Sequence, residues 1–145
     1  MHIGGSVRYL NETDIMPELI VHNNKAVTAY NWEFHILDNA TDNLPSGDCA
    51  ILRQVLQQLS NAEIKSVVEK LYTYKYVILT EHLPKGDFTP NKDIISGQGI
   101  RLKKQSGVNL VASPFNLKVK EEKQLLSINL DDNKGVITTI LYKLF

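Results

Sequence analysis

The chain has 145 residues, 43% of them hydrophobic, and its 16 basic side chains balance 16 acidic ones to a formal net charge of zero. That length suits one domain able to bury about 70% of its unfolded surface, and the neutral balance offers no attraction to nucleic acid or to an anionic membrane, which leaves small-molecule ligands or protein partners. The single cysteine, Cys49, excludes an internal disulfide and, beside Ala50, Ile51 and Leu52, reads as a small buried hydrophobe.

The opening MHIGGSVRYL has neither the basic nor the apolar region of a signal peptide, and no stretch reaches the about 18 apolar residues of a membrane span. A cytoplasmic protein is expected. RYLNETDI reads as a short strand ending at Asp14, and MPELIVHNNKAVTAY as a helix, with Pro17 in its first turn and apolar Leu19, Ile20 and Val27. NWEFHILD alternates Trp32, Phe34 and Ile36 with Glu33 and His35, as a half-buried strand ending at Asp38 does. DCAILRQVL is a buried strand that runs into SNAEIKSVVEKLYTY. There Ser60 or Asn61 caps a helix whose Ile64, Val67, Val68 and Leu71 recur at spacings of three and four. YKYVILTEHL is a β-branched run of the kind covered on both faces. From Pro84 to Leu117 the periodicity fades, the mark of a functional connection or of a hidden short helix. QLLSINLDDNKGVITTILYKLF closes the chain as a hairpin turning at DDNKG. The expected architecture is an α/β domain spanning 1–145, with a mostly parallel sheet and an antiparallel carboxyl-terminal pair. Ligands of such sheets bind at the carboxyl ends of the strands, where Asp14, Asp38, Arg53, Gln54 and His82 fall.

Several segments, in order, carry a resemblance: TDIMPELI from Thr13, FHILD to Asp38, LPSGD from Leu44, RQVLQQLSN from Arg53, TEHLP from Thr80, PNKDI from Pro90 and GVITTILYKL from Gly135. Together they resemble a bacterial branch of the class I S-adenosylmethionine-dependent methyltransferases, over the chain from about Leu10 onward. The resemblance implies a Rossmann-like methyltransferase sheet and roles for individual residues. Asp14 would accept hydrogen bonds from the ribose hydroxyls of S-adenosylmethionine, a task suited to an acceptor-only carboxylate, although it also fits a helix N-cap. Asp38 would take the adenine amino group, and Arg53, Gln54 and Val55 would line the methionine moiety. His82, just past the fifth strand, is the candidate general base, since an imidazole takes a proton near neutral pH. Gln58, Asn91, Asp93 and Arg101 fall on the substrate side. No metal site is expected, because His82, Asp87 and Asp93 have no recognised ligand spacing.

The pattern departs from the family at its start. A Gly-rich loop should stand roughly 20 residues before the ribose acid, yet only 13 residues precede Asp14. Gln54 stands where the pattern has Asp, Gln58 where it has His, and Glu12 where it has Gly, so charge and proton-transfer capacity leave the cleft. The expectation is a truncated methyltransferase-like domain missing its first strand and helix, a fragment or inactive homologue that binds S-adenosylmethionine weakly or not at all. The alternatives are a non-catalytic binding or interaction module and half of a split enzyme completed by a partner. The expected sheet has RYLNETD either beside CAILRQ or leaving that strand's edge unpaired, and an unpaired edge would favour a homo-oligomer.

Overall fold

The computed structural model describes residues 2–3, 10–14, 32–36 and 43–145, and before residue 43 it describes strand backbone only. Its strands are β1 (His2–Ile3), β2 (Leu10–Asp14), β3 (Trp32–Ile36), β4 (Cys49–Arg53), β5 (Tyr76–Leu83), β6 (Glu121–Asn129) and β7 (Val136–Lys143), and its α-helix is α1 (Asn61–Leu71). The strands form one sheet in the order β3-β2-β1-β4-β5-β7-β6. Among the described residues β2, β3, β4, β5 and β6 run one way, and β1 and β7 run the other. The expected mostly parallel sheet with an antiparallel carboxyl-terminal pair is what forms, and β7 lies inside it, between β5 and β6. The expected helix over residues 16–30 and the strand end at Asp38 lie outside the described residues.

The first place in the sheet differs from expectation. RYLNETD does not move beside β4, and the β4 edge is covered in part: among the described residues β1 pairs antiparallel with both neighbours, His2 opposite Asn11 and Ala50, and Ile3 opposite Leu10 and Cys49, while Ile51–Arg53 extend past it. Backbone N–H and C=O groups need partners, and a strand of either direction supplies them. The fold therefore fills the gap with an antiparallel dipeptide, and the unpaired-edge argument for self-association through β4 loses its basis at those residues.

α1 begins at Ser60, whose hydroxyl accepts the Glu63 N–H at 3.4 Å, and it buries Ile64, Val67, Val68 and Leu71. Those four pack on the sheet face formed by Ala50 and Leu52 of β4, Val77 and Leu79 of β5 and Tyr142 of β7, each buried aliphatic side chain contributing about 1.5–3 kcal/mol. The segment after β5 joins the same core through Val108, Leu110, Phe115 and Leu117. It contains one 3-10 turn, Arg101–Lys104, so the weak periodicity was that of an irregular crossover which still carries core residues. β5 alternates: Val77, Leu79 and Glu81 are buried, while Ile78, Thr80 and His82 are half-buried, so this β-branched run is fully covered on one face only. β6 is exposed throughout and begins at Glu121, earlier than the hairpin pattern suggested, with a bulge at Leu125.

Candidate functional site

At the carboxyl end of β4 the chain turns sharply. Gln54 takes a left-handed conformation at φ 54° and donates its N–H to the Thr80 carbonyl at 2.8 Å. Val55 follows, and Leu56–Gln58 make a 3-10 turn. Gln57, buried at 7% exposure, staples that turn to β5. Its N–H donates to Glu81 Oε2 at 3.2 Å and its side-chain oxygen accepts the His82 N–H at 2.8 Å. Arg53 is exposed, and Gln58 is exposed with its amide donating to the Gln54 carbonyl at 3.3 Å. The polar residues that end β4 thus divide: Gln57 is a structural staple, and Arg53 and Gln58 reach solvent.

Asn91, Asp93 and Arg101 converge on one residue, Asn61, the first of α1. The Asn61 N–H donates to Asp93 Oδ1 at 2.8 Å, its side-chain amide donates to the Asn91 carbonyl at 2.8 Å, and Arg101 Nη2 donates to Asn61 Oδ1 at 2.7 Å. Arg101 is 1% exposed, and its guanidinium also donates to the carbonyls of Lys92 (2.8 Å), Gln57 (3.3 Å) and Leu59 (2.8 Å). Asn91, at φ 59°, donates to the Asn109 and Ser113 carbonyls at 2.7 and 2.9 Å and accepts the Asn109 N–H at 2.8 Å. The Asn61 N–H holds the Asp93 carboxyl below the usual carboxylate range.

His82 lies where β5 reaches the rim. Its Nε2 is 2.5 Å from the Lys134 carbonyl, an oxygen that can only accept, so Nε2 donates there. Gly135, at φ 95°, makes that approach feasible: a Cβ there would fall 2.4 Å from the Leu83 carbonyl oxygen and 3.0 Å from His82 Nε2. His82 lines a cavity of about 770 Å³ whose wall also carries Lys85, Lys103 and Lys134. On the opposite face Glu81, 2% exposed, has one carboxylate oxygen without a hydrogen-bond partner, and burial pushes its pKa up to about 8. Gln57 and Glu81 were absent from the candidates drawn from sequence. A carboxylate in the buried register of an apolar strand was the available signal for Glu81; Gln57 had none. Burial also raises the Cys49 thiol above its ordinary pKa, in keeping with an inert side chain.

Strand register places Asp14 level with Arg53, since His2 pairs with both Asn11 and Ala50, three residues before each. Two strand spacings separate them, about 9–10 Å, and β2 and β4 both continue three residues past the level of His2. Of the sequence candidates, Asp14, Arg53, Gln54, Val55, Gln58 and His82 share the carboxyl edge, and Asp38 lies outside the described residues. Among the described residues no cluster of three or more metal-ligating side chains occurs, and no helix is long and apolar enough to cross a membrane.

The strand order 3-2-1-4-5 is the order of doubly wound nucleotide-type sheets. Solved structures narrow it: the chain has the class I S-adenosylmethionine-dependent methyltransferase fold. It resembles the N-terminal domain of EvdMO1 with S-adenosylhomocysteine bound, at TM-score 0.61 and 14% identity over 94% of this chain and 65% of that one. It resembles the apo S-adenosylmethionine-dependent methyltransferase SibL at 0.59 and 13%, over 92% of this chain and 42% of that one. Human N-acetylserotonin methyltransferase in complex with S-adenosylmethionine follows at 0.56 and 16%, over 92% of this chain and 39% of that one. The chain therefore spans less than two thirds of each of these proteins. No protein-family model and no curated sequence matches it.

Two places at the carboxyl edge bear on whether S-adenosylmethionine fits the described residues. Asp14 ends β2 at that edge, where doubly wound folds place an acid for a ribose. The amino-acid end needs a turn that follows the carboxyl end of the first strand and presents backbone N–H groups. β1 runs opposite to β2 and β4, so its carboxyl end points to the far edge of the sheet, away from Asp14 and Arg53.

Proposed function

We propose that this chain is a methyltransferase-fold protein that keeps the acceptor side of the site and, by itself, lacks the grip on S-adenosylmethionine needed for turnover. The direction of β1 carries this reading. Methyl transfer requires the sulfonium carbon to be held in line with its acceptor, and displacement by about 1 Å can cost roughly a hundredfold in rate. Asp14 contributes at the ribose end, with Asp38 its counterpart for adenine. Arg53, Gln54 and Val55 form the rim facing the methionine moiety, and Gln58 and His82 face the acceptor. Asn91, Asp93 and Arg101 serve as the frame that fixes α1 and the turn after β4, a reading supported by their bonds to Asn61. Calorimetric titration of the full chain with S-adenosylmethionine tests the proposal. No saturable binding below about 100 μM, roughly 5 kcal/mol of affinity, is expected. Submicromolar binding abolished by Asp14→Ala would make the chain an ordinary cofactor binder.

A second reading, half of a split enzyme, draws on the three residues by which β2 and β4 each outrun β1. It predicts methylase activity only after an amino-terminal strand-and-loop segment from a complete methyltransferase is added in trans.

A further inference from the structure

The cavity beside His82 is a concave feature whose chemistry points one way. Its volume of about 770 Å³ lies in the range of small-molecule sites, roughly 300–1,000 Å³. Three segments distant in sequence each contribute a lysine: Lys85 from the turn after β5, Lys103 from the 3-10 turn, and Lys134 from the β6–β7 turn. Among the described residues no acidic side chain lines it. Two other lysines of the segment after β5 are engaged, Lys92 and Lys104 donating to the carbonyls of Lys104 and Asp93 at 3.0 and 2.7 Å. Lys85, Lys103 and Lys134 are exposed, and among the described residues their ammonium groups have no hydrogen-bond or ion-pair partner. Left-handed residues shape two of the walls, Gln105 at φ 52° and Asn133 at φ 55°, while Pro84 and Leu102 add apolar surface.

We propose that this cavity binds a phosphorylated small organic molecule, its phosphate held by Lys85, Lys103 and Lys134 and its organic body against Pro84 and Leu102. Three ammonium groups on one wall act as point charges that favour a dianion over a monoanion. The space exceeds what a bare phosphate fills, which is why an organic body belongs in it. His82 Nδ1 and the Gln105 and Asn133 amides supply hydrogen bonds to that body. The inference needs no S-adenosylmethionine, so it stands or falls apart from the cofactor reading.

The test is a titration of the full-length, isotope-labelled chain with ribose 5-phosphate in a phosphate-free buffer of low salt, followed by NMR and without S-adenosylmethionine. Saturable shifts at the amides of Lys85, Gln105 and Lys134 and at the His82 ring are expected, and their absence would overturn the site. Combined Lys85→Gln, Lys103→Gln and Lys134→Gln should weaken binding tenfold or more, while Lys65→Gln on α1 leaves it unchanged. Equal binding by the triple variant would refute the assignment. These lysines are exposed, so the thermal midpoint of the triple variant should match the parent; were it to fall, the salt dependence of the parent decides instead. A several-fold loss of affinity from 20 to 200 mM salt supports the site, and none overturns it. Inorganic phosphate should bind more weakly than ribose 5-phosphate, and equal binding would remove the organic body from the proposal. Succinate should bind more weakly than either phosphate, and binding as tight as that of ribose 5-phosphate would replace phosphate by carboxylate.

Discussion

Two neighbouring regions of this sheet obey the same hydrogen-bonding rule and differ in what they hold together. Around β4, β5 and α1 the buried polar groups are tied to one another. Gln57 joins the turn to β5, Arg101 ties four acceptors, and Asn91, Asp93 and Arg101 all hold Asn61. Around β1 the ladder is two residue pairs long on either side, and the strand in the first place runs backwards. Ladder formation is indifferent to direction, because a strand of either sense satisfies its neighbours. Ligand binding is not, because only a strand's carboxyl end carries the turn that meets a cofactor. The proposed loss of cofactor grip rests on that difference.

The largest test of that contrast lies in the frame. Arg101→Leu removes a buried guanidinium and strands the acceptors of Lys92, Gln57, Leu59 and Asn61, and urea unfolding should show a loss of about 3–5 kcal/mol. A loss under about 1 kcal/mol would mean that the segment after β5 is not held as the hydrogen bonds indicate. Gly135→Ala comes next, at about 2–4 kcal/mol, since φ 95° disfavours a side chain and the new Cβ would strike the Leu83 carbonyl. It should also break the contact between His82 and Lys134, visible as a changed His82 ring shift.

Glu81 sharpens the comparison through pH. Its pKa is near 8 in the folded protein, above the ordinary 4.5, so the folded state holds the proton longer than the unfolded state does. The stability linked to this group is fully present below about pH 4.5 and is lost as pH rises through about 8. Thermal melts should show the parent losing about 1–3 kcal/mol between pH 5 and pH 8 relative to Glu81→Gln, whose profile should be flatter. Identical profiles would mean that Glu81 is ionised in the fold. The smallest effect belongs to the rim: Arg53 is exposed, and Arg53→Ala should change stability by less than about 0.5 kcal/mol in the same urea assay.

Where local chemistry dominates, the amino-acid sequence was sufficient. Ser60 followed by Ile64, Val67, Val68 and Leu71 specifies a capped helix with one apolar face, and α1 buries those four residues. The runs at Cys49 and Tyr76, the turn at DDNKG and the acid that ends β2 were equally legible, because strand patterning and turn residues act over a few positions. Asn91, Asp93 and Arg101 were visible as polar residues in an unpatterned stretch, but not their convergence on Asn61, which joins segments 30 to 40 residues apart. Nor could one strand reveal that Glu81 is buried with an oxygen left unpartnered, or that three lysines from separate turns face one cavity. The direction of β1 was the least legible of all. A dipeptide carries no pattern that distinguishes parallel from antiparallel pairing; the neighbours on either side decide it, and they meet only in the assembled sheet.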